Sequence, residues 1–126
     1  MKNIRHNNIM SWKNRGEQYV EIICRGCSMR GRERIWIGYT SSMADELNRG
    51  IDNSYFVFEE EPGNSYDPNA IQVVCRGEFF GTAGYVGKEY TGTVKEILEK
   101  CEVYRIDMKD EAEAGEREIR LLVYWA

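Results

Sequence analysis

The feature that most limits how this chain can fold is the brevity of its apolar runs and the regularity with which turn residues break them. QYVEIICR (18–25), SYFVFEE (54–60), AIQVVCR (70–76), EVYRIDM (102–108) and EIRLLVYW (118–125) are each rich in β-branched and aromatic residues with partial alternation, the pattern of short strands. Glycine, proline, asparagine or aspartate lies between them, so neighbours in sequence can pair without long crossovers. RIWIGYT (34–40) reads as a further strand, paired with 18–25 across the glycine-bearing GCSMRGRE. EFFGTAGYV (78–86) adds Phe80 and Val86 as core contacts, with Gly81, Gly84 and Gly87 marking a bend or a close backbone approach.

Two segments carry helical grammar. SSMADELNRG (41–50) offers a serine cap, acidic residues in its first turn, Leu47 and a closing Gly50. KEYTGTVKEILEKC (88–101) sets Val94, Ile97, Leu98 and Cys101 on one face and pairs Glu96 with Lys100. The pattern predicts a mainly β chain of five to seven strands, a small and partly closed barrel with one or two capping helices. At 126 residues this is one domain with one core. Residues 17–126 are assigned to it, and 1–16 to a flexible N-terminal segment.

No apolar run approaches the ~20 residues that span a bilayer, and MKNIRHNNIMSWKNRG lacks the apolar stretch and cleavage pattern of a secretory signal. The expected location is therefore the cytoplasm, where Cys24, Cys27, Cys75 and Cys101 stay reduced. Cys24 and Cys27 form a CxxC, yet Cys75 and Cys101 do not make a second close pair and the lone His6 lies near the N-terminus. The paired spacing of a zinc site is missing. Cys24 and Cys75 read instead as small buried hydrophobes, and neither metal nor cofactor is expected.

Charge is unevenly spread: the net of −4 divides into 8 Lys/Arg against 3 Asp/Glu in residues 1–37 and 9 against 18 in the remainder. Arg25, Arg30, Arg32 and Arg34 thus form a basic patch beside an acidic body, which suits either a solvated hairpin or a phosphate surface. Catalytic groupings are scarce. One histidine gives no basis for a Ser/His/Asp or Cys/His arrangement, and no P-loop, GxGxxG or HExxH occurs. Adjacent acids such as Glu59, Glu60 and Glu61 read as a solvated face. The expectation is a binding module and not an enzyme.

The stretch EPGNSYDPNAI (61–71) draws these threads together. Pro62 ends a strand, Gly63 and Asn64 permit positive φ, and Pro68 fixes φ for a type I turn in which Asp67 accepts backbone N–H groups. Turn mechanics demands Tyr66 and Asn69 less. A tyrosine on a rigid, proline-bounded loop is a stacking platform of the kind single-stranded nucleic acids use. On the residues alone both a plain connector and a stacking loop account for the segment.

The run FEEEPGNSYDPNAIQVVCRGEFFGTAGYVGKEYTGTVKEIL (58–98) resembles the HIRAN domain, whose hallmark is an acidic-Pro, x-Asn-x-Tyr-Asp-x-Asn-Ala-Ile core, then a strand, a Gly-Tyr-Val/Ile element and a helix. EP, NSYDPNAI and GYV occur here in that order, while the first strand and the last strands agree only loosely. The resemblance implies an OB-like barrel that binds DNA, particularly single-stranded DNA with a free 3′ end, in stand-alone bacterial proteins or fused to helicase-like remodellers and nucleases. It implies a setting in DNA repair or processing, with single-stranded DNA or DNA ends, and a protein of the same process, as partners.

By the same resemblance Tyr66 stacks on a terminal base, Asn64 and Asp67 bond near the terminal nucleotide with Asp67 at the 3′-hydroxyl, Lys88 meets a phosphate and Tyr85 lines the groove. Where DNA-binding relatives carry an Arg-Tyr pair after the first strand, this chain has Gly26-Cys27-Ser28-Met29-Arg30. Arg25 and Arg30 supply charge instead, and a lost stack weakens base affinity by ~1–3 kcal/mol. The alternatives are a protein-interaction domain that keeps the barrel with a degenerate groove, or an accessory subunit of a DNA-processing complex.

Overall fold

In the computed structural model the described residues are 18–48, 56–77 and 80–126, the side chains of 41–48 excepted. The flexible segment assigned to 1–16, His6, Leu47 as an apolar contact, Gly50 as a helix end and the strand residues Ser54, Tyr55, Glu78 and Phe79 lie outside them. Strands β1 (Gln18–Arg25), β2 (Phe56–Glu60), β3 (Ile71–Cys75), β4 (Gly81–Val86), β5 (Tyr104–Met108) and β6 (Glu118–Trp125) join helices α1 (Glu33–Asn48) and α2 (Thr91–Lys100). The strands form one sheet in the order β2-β3-β4-β1-β6-β5, with every pair antiparallel.

The sheet curls until its edges meet. Phe58 of β2 donates its backbone N–H to the Tyr104 hydroxyl of β5 at 3.0 Å, and the two rings stack with centroids 5.4 Å apart. A register shift between Val73 and Val74, opposite β4, is a bulge that sharpens the bend. The result is the partly closed barrel that short strands allow. Alternate residues such as Ile22, Cys24, Ile71, Val73, Ile119, Leu121 and Val123 fill the interior, following the period-2 rule.

Residues 34–40 are helical, against the strand expected there: α1 begins at Glu33 and contains the whole of RIWIGYT. Aromatic and β-branched content favours a strand in isolation, but Trp36 and Tyr39 sit one helical turn apart and both are buried while Ile37 is exposed. Trp36 stacks on Phe56 at 4.5 Å and donates its indole N–H to the Ala83 carbonyl at 3.0 Å. Burying that indole with its donor satisfied outweighs the local preference. The other helix follows its expected face, with Val94 and Ile97 buried and Glu96 at 3.9 Å from Lys100.

Phe80, expected in the core, is instead 72% exposed, while Val86 is buried. Gly84 is a close approach: a Cβ there would stand 2.5 Å from Cys24 Sγ and 2.9 Å from both the Arg25 carbonyl and Cys27 Sγ. Cys24, Cys27 and Cys75 are buried thiols, and burial, with Cys27 beside it at 3.1 Å, raises the Cys24 pKa well above the ordinary thiol value. Among the described residues no group of three or more His, Cys, Asp or Glu is placed to hold a metal ion, and no helix is long and apolar enough to cross a membrane.

Candidate functional site

Sheet register sets the floor of the site. Arg25, at the end of β1, pairs with Tyr85 of β4 and with Glu118 of β6, and Tyr85 pairs in turn with Gln72 of β3. Cys24 and Val86, the adjacent positions, point inward and are buried, so alternation directs Arg25 and Tyr85 to the outer face. Three connections rise around that floor: 61–70 between β2 and β3, 26–32 after β1, and the 3₁₀ turn Lys88–Tyr90. Together they enclose a cleft of about 790 Å³.

All seven residues singled out in the sequence, Arg25, Arg30, Asn64, Tyr66, Asp67, Tyr85 and Lys88, line this cleft. Their circumstances differ. Tyr66 is 95% exposed, its ring presented by a loop with little freedom. Asn64 Oδ1 accepts the backbone N–H groups of Tyr66 at 2.8 Å and Asp67 at 2.9 Å, and its Nδ2 donates to Glu61 at 2.6 Å. Its carboxamide thus builds the loop before it can meet a ligand. Asp67 Oδ1 accepts the Asn69 N–H at 2.9 Å, and its carbonyl accepts that of Ala70 at 3.0 Å, which is the turn that Pro68 favours. The second carboxylate oxygen of Asp67 has no hydrogen bond among the described residues, and Asp67 lines the cleft.

Tyr85 is held from two sides. Its hydroxyl donates toward the Glu61 carboxylate at 3.2 Å, and the Arg32 guanidinium lies 5.7 Å from its ring centroid, a cation–π arrangement. Burial and the facing Glu61 carboxylate raise its pKa. Glu61 is therefore the brace between loop and sheet and not part of a solvated face. The sequence places Arg32 in a basic patch and Glu61 in an acidic run, but the meeting of each with Tyr85 was not legible there, because it depends on which strand lies opposite which.

The cations divide into two kinds. Arg25 grips Glu89 through both terminal nitrogens, at 2.6 and 2.8 Å, and gives Nε to Glu118 at 3.0 Å. Those bonds raise its pKa further and, through Arg25, lower that of Glu89 to about 2. In contrast, neither Arg30 nor Lys88 pairs with a carboxylate among the described residues. Arg30 also occupies the left-handed region at φ 55°, which costs a non-glycine residue roughly 1 kcal/mol. Four cations against two carboxylates line the cleft, on a chain whose net charge is −4. Met29, 55% exposed, contributes apolar surface to the same wall.

Comparison with solved structures finds similar folds. One is the HIRAN domain of human HLTF, at 16% sequence identity and TM-score 0.48, matching 85% of this chain and 74% of that one. Another is a protein from Lactobacillus plantarum, at 16% identity and TM-score 0.45, over 87% of this chain and 97% of that one. No protein-family model matches the chain, and no curated protein matches it.

Proposed function

We propose that the chain is a non-enzymatic module that binds single-stranded DNA at a 3′-hydroxyl end. The observation that carries this function is the meeting, in one cleft, of an almost fully exposed tyrosine, an available carboxylate oxygen and cations without carboxylate partners. The resemblance of residues 58–98 to the HIRAN motif supports it further. Tyr66 stacks on the terminal base, as aromatic platforms do without regard to sequence. Asp67 Oδ2 accepts the hydrogen of the terminal 3′-hydroxyl and repels a phosphorylated end. Lys88 and Arg30 meet backbone phosphates, which position the strand without reading its bases. Asn64 orients Tyr66 and Asp67, and Tyr85, held by Arg32 and Glu61, forms the floor.

Fluorescence anisotropy with 5′-labelled oligonucleotides ending in 3′-hydroxyl or 3′-phosphate tests this. The hydroxyl end binds more tightly, and Tyr66→Ala weakens it by about 1–3 kcal/mol with the melting temperature unchanged. Equal binding of both ends, unaffected by Tyr66→Ala, would falsify end recognition.

A protein-interaction domain is the second reading, favoured by Arg25, whose charge two carboxylates already neutralise, and by Met29 at a lip where an aromatic would add a stack. Capture of a basic protein partner, together with no salt-sensitive DNA binding, selects that reading.

A further inference from the structure

A second hollow, of about 460 Å³, adjoins the first and shares Arg30 and Arg32 with it. Arg34, Ile35 and Phe80 complete its distinctive lining, and among the described residues no carboxylate belongs to it. Phe80 is 72% exposed, so its ring offers a flat apolar face at the rim of this hollow. Arg34 makes one long bond, from Nε to the Gly31 carbonyl at 3.4 Å, and no ion pair among the described residues. Tyr66 lines the first hollow and Phe80 the second, and Arg30 and Arg32 line both, so that the arginines link an aromatic of one to an aromatic of the other. A polyanion with a flat group on every unit fits that arrangement, since each base has a stacking face and each link a phosphate.

We infer that the strand held at its 3′ end in the first cleft continues over Arg30 and Arg32 into this second hollow. There an upstream base stacks on Phe80 and its phosphate meets Arg34. This extension rests on the DNA-binding function proposed above, and it adds a length requirement that terminal recognition alone does not have.

The experiment measures binding of unlabelled 3′-hydroxyl oligothymidines, a dinucleotide and an octanucleotide, by competition against a 5′-labelled octanucleotide. Wild type, Phe80→Ala, Arg34→Gln and Tyr66→Ala chains are compared, with melting temperatures confirming that each folds. For wild type the octanucleotide binds more tightly than the dinucleotide. Phe80→Ala weakens the octanucleotide on the order of tenfold and leaves the dinucleotide unchanged. Arg34→Gln reduces the salt dependence of octanucleotide binding by about one phosphate contact. Equal affinity of wild type for both lengths, or wild-type octanucleotide binding by Phe80→Ala, overturns the second subsite while leaving the first cleft intact. Loss with Phe80→Ala but none with Tyr66→Ala, and no preference for a 3′-hydroxyl over a 3′-phosphate, overturns end recognition and keeps the second subsite. If wild type binds neither oligonucleotide at low salt, both are wrong.

Discussion

The end of β1 and the loop that follows it both bring arginine to the same cleft, yet they are built to opposite ends. At the strand end Arg25 is held by Glu89 and Glu118, above thiols packed against Gly84. In the loop Arg30 has no carboxylate and sits in a backbone region that favours glycine. A neutralised arginine on a packed strand organises structure, whereas an unneutralised one on strained backbone is available to a ligand. Position on the cleft does not distinguish them. Their partners do.

That contrast can be broken most forcefully at Gly84. Gly84→Ala forces a methyl against two sulfurs and the Arg25 carbonyl, and overpacking of this kind costs about 1–3 kcal/mol. Chemical denaturation of this variant should show a clear loss of stability, and an unchanged midpoint would mean that the strand end is looser than its contacts indicate. Arg30→Gly is the smaller and opposite test. It relieves the left-handed strain and should stabilise the chain by up to about 1 kcal/mol while weakening octanucleotide binding. A variant that gains stability and keeps full affinity would remove Arg30 from the binding surface.

The finest test uses pH. Arg25 holds the folded-state pKa of Glu89 at about 2, below its ordinary 4.5. The favourable contribution is therefore complete above the ordinary value and fades as pH falls through the folded one. In an acid titration, the stability difference between wild type and Glu89→Gln should be constant near neutrality and shrink between about pH 4.5 and 2. A gap that persists to the acid end would show that the carboxylate charge is not what Arg25 holds. Because the pair is exposed, high salt should narrow the gap as well.

Much of the fold is legible along the chain. The strands at 18–25, 71–75, 104–108 and 118–125 and the helix at 91–100 follow from alternation, 3.6-residue spacing and turn residues, all of which are local. RIWIGYT is not legible, since its composition suits a strand and only the docking of Trp36 onto Phe56 and Ala83 makes it helical. Phe80 fails for a related reason: an apolar run marks a residue for burial, but the turn into β4 leaves that position facing outward. In the cleft, Asn64, Tyr66 and Asp67 are visible because one contiguous motif carries them. The contacts of Arg32 and Glu61 are not, because each meets Tyr85 only through strand pairing and loop closure.

By itself, then, the sequence determined a short-stranded barrel, a proline-bounded turn whose Asp67 and Asn64 satisfy its own backbone, and a tyrosine that this turn does not require. Tertiary structure decided which arginines are neutralised, that Tyr66, Tyr85 and Lys88 line one cleft, and that Phe80 borders a second. Local hydrogen bonds and periodicity are written in neighbouring residues. Charge pairing and cleft formation depend on residues far apart in the chain, and only the closed sheet brings those together.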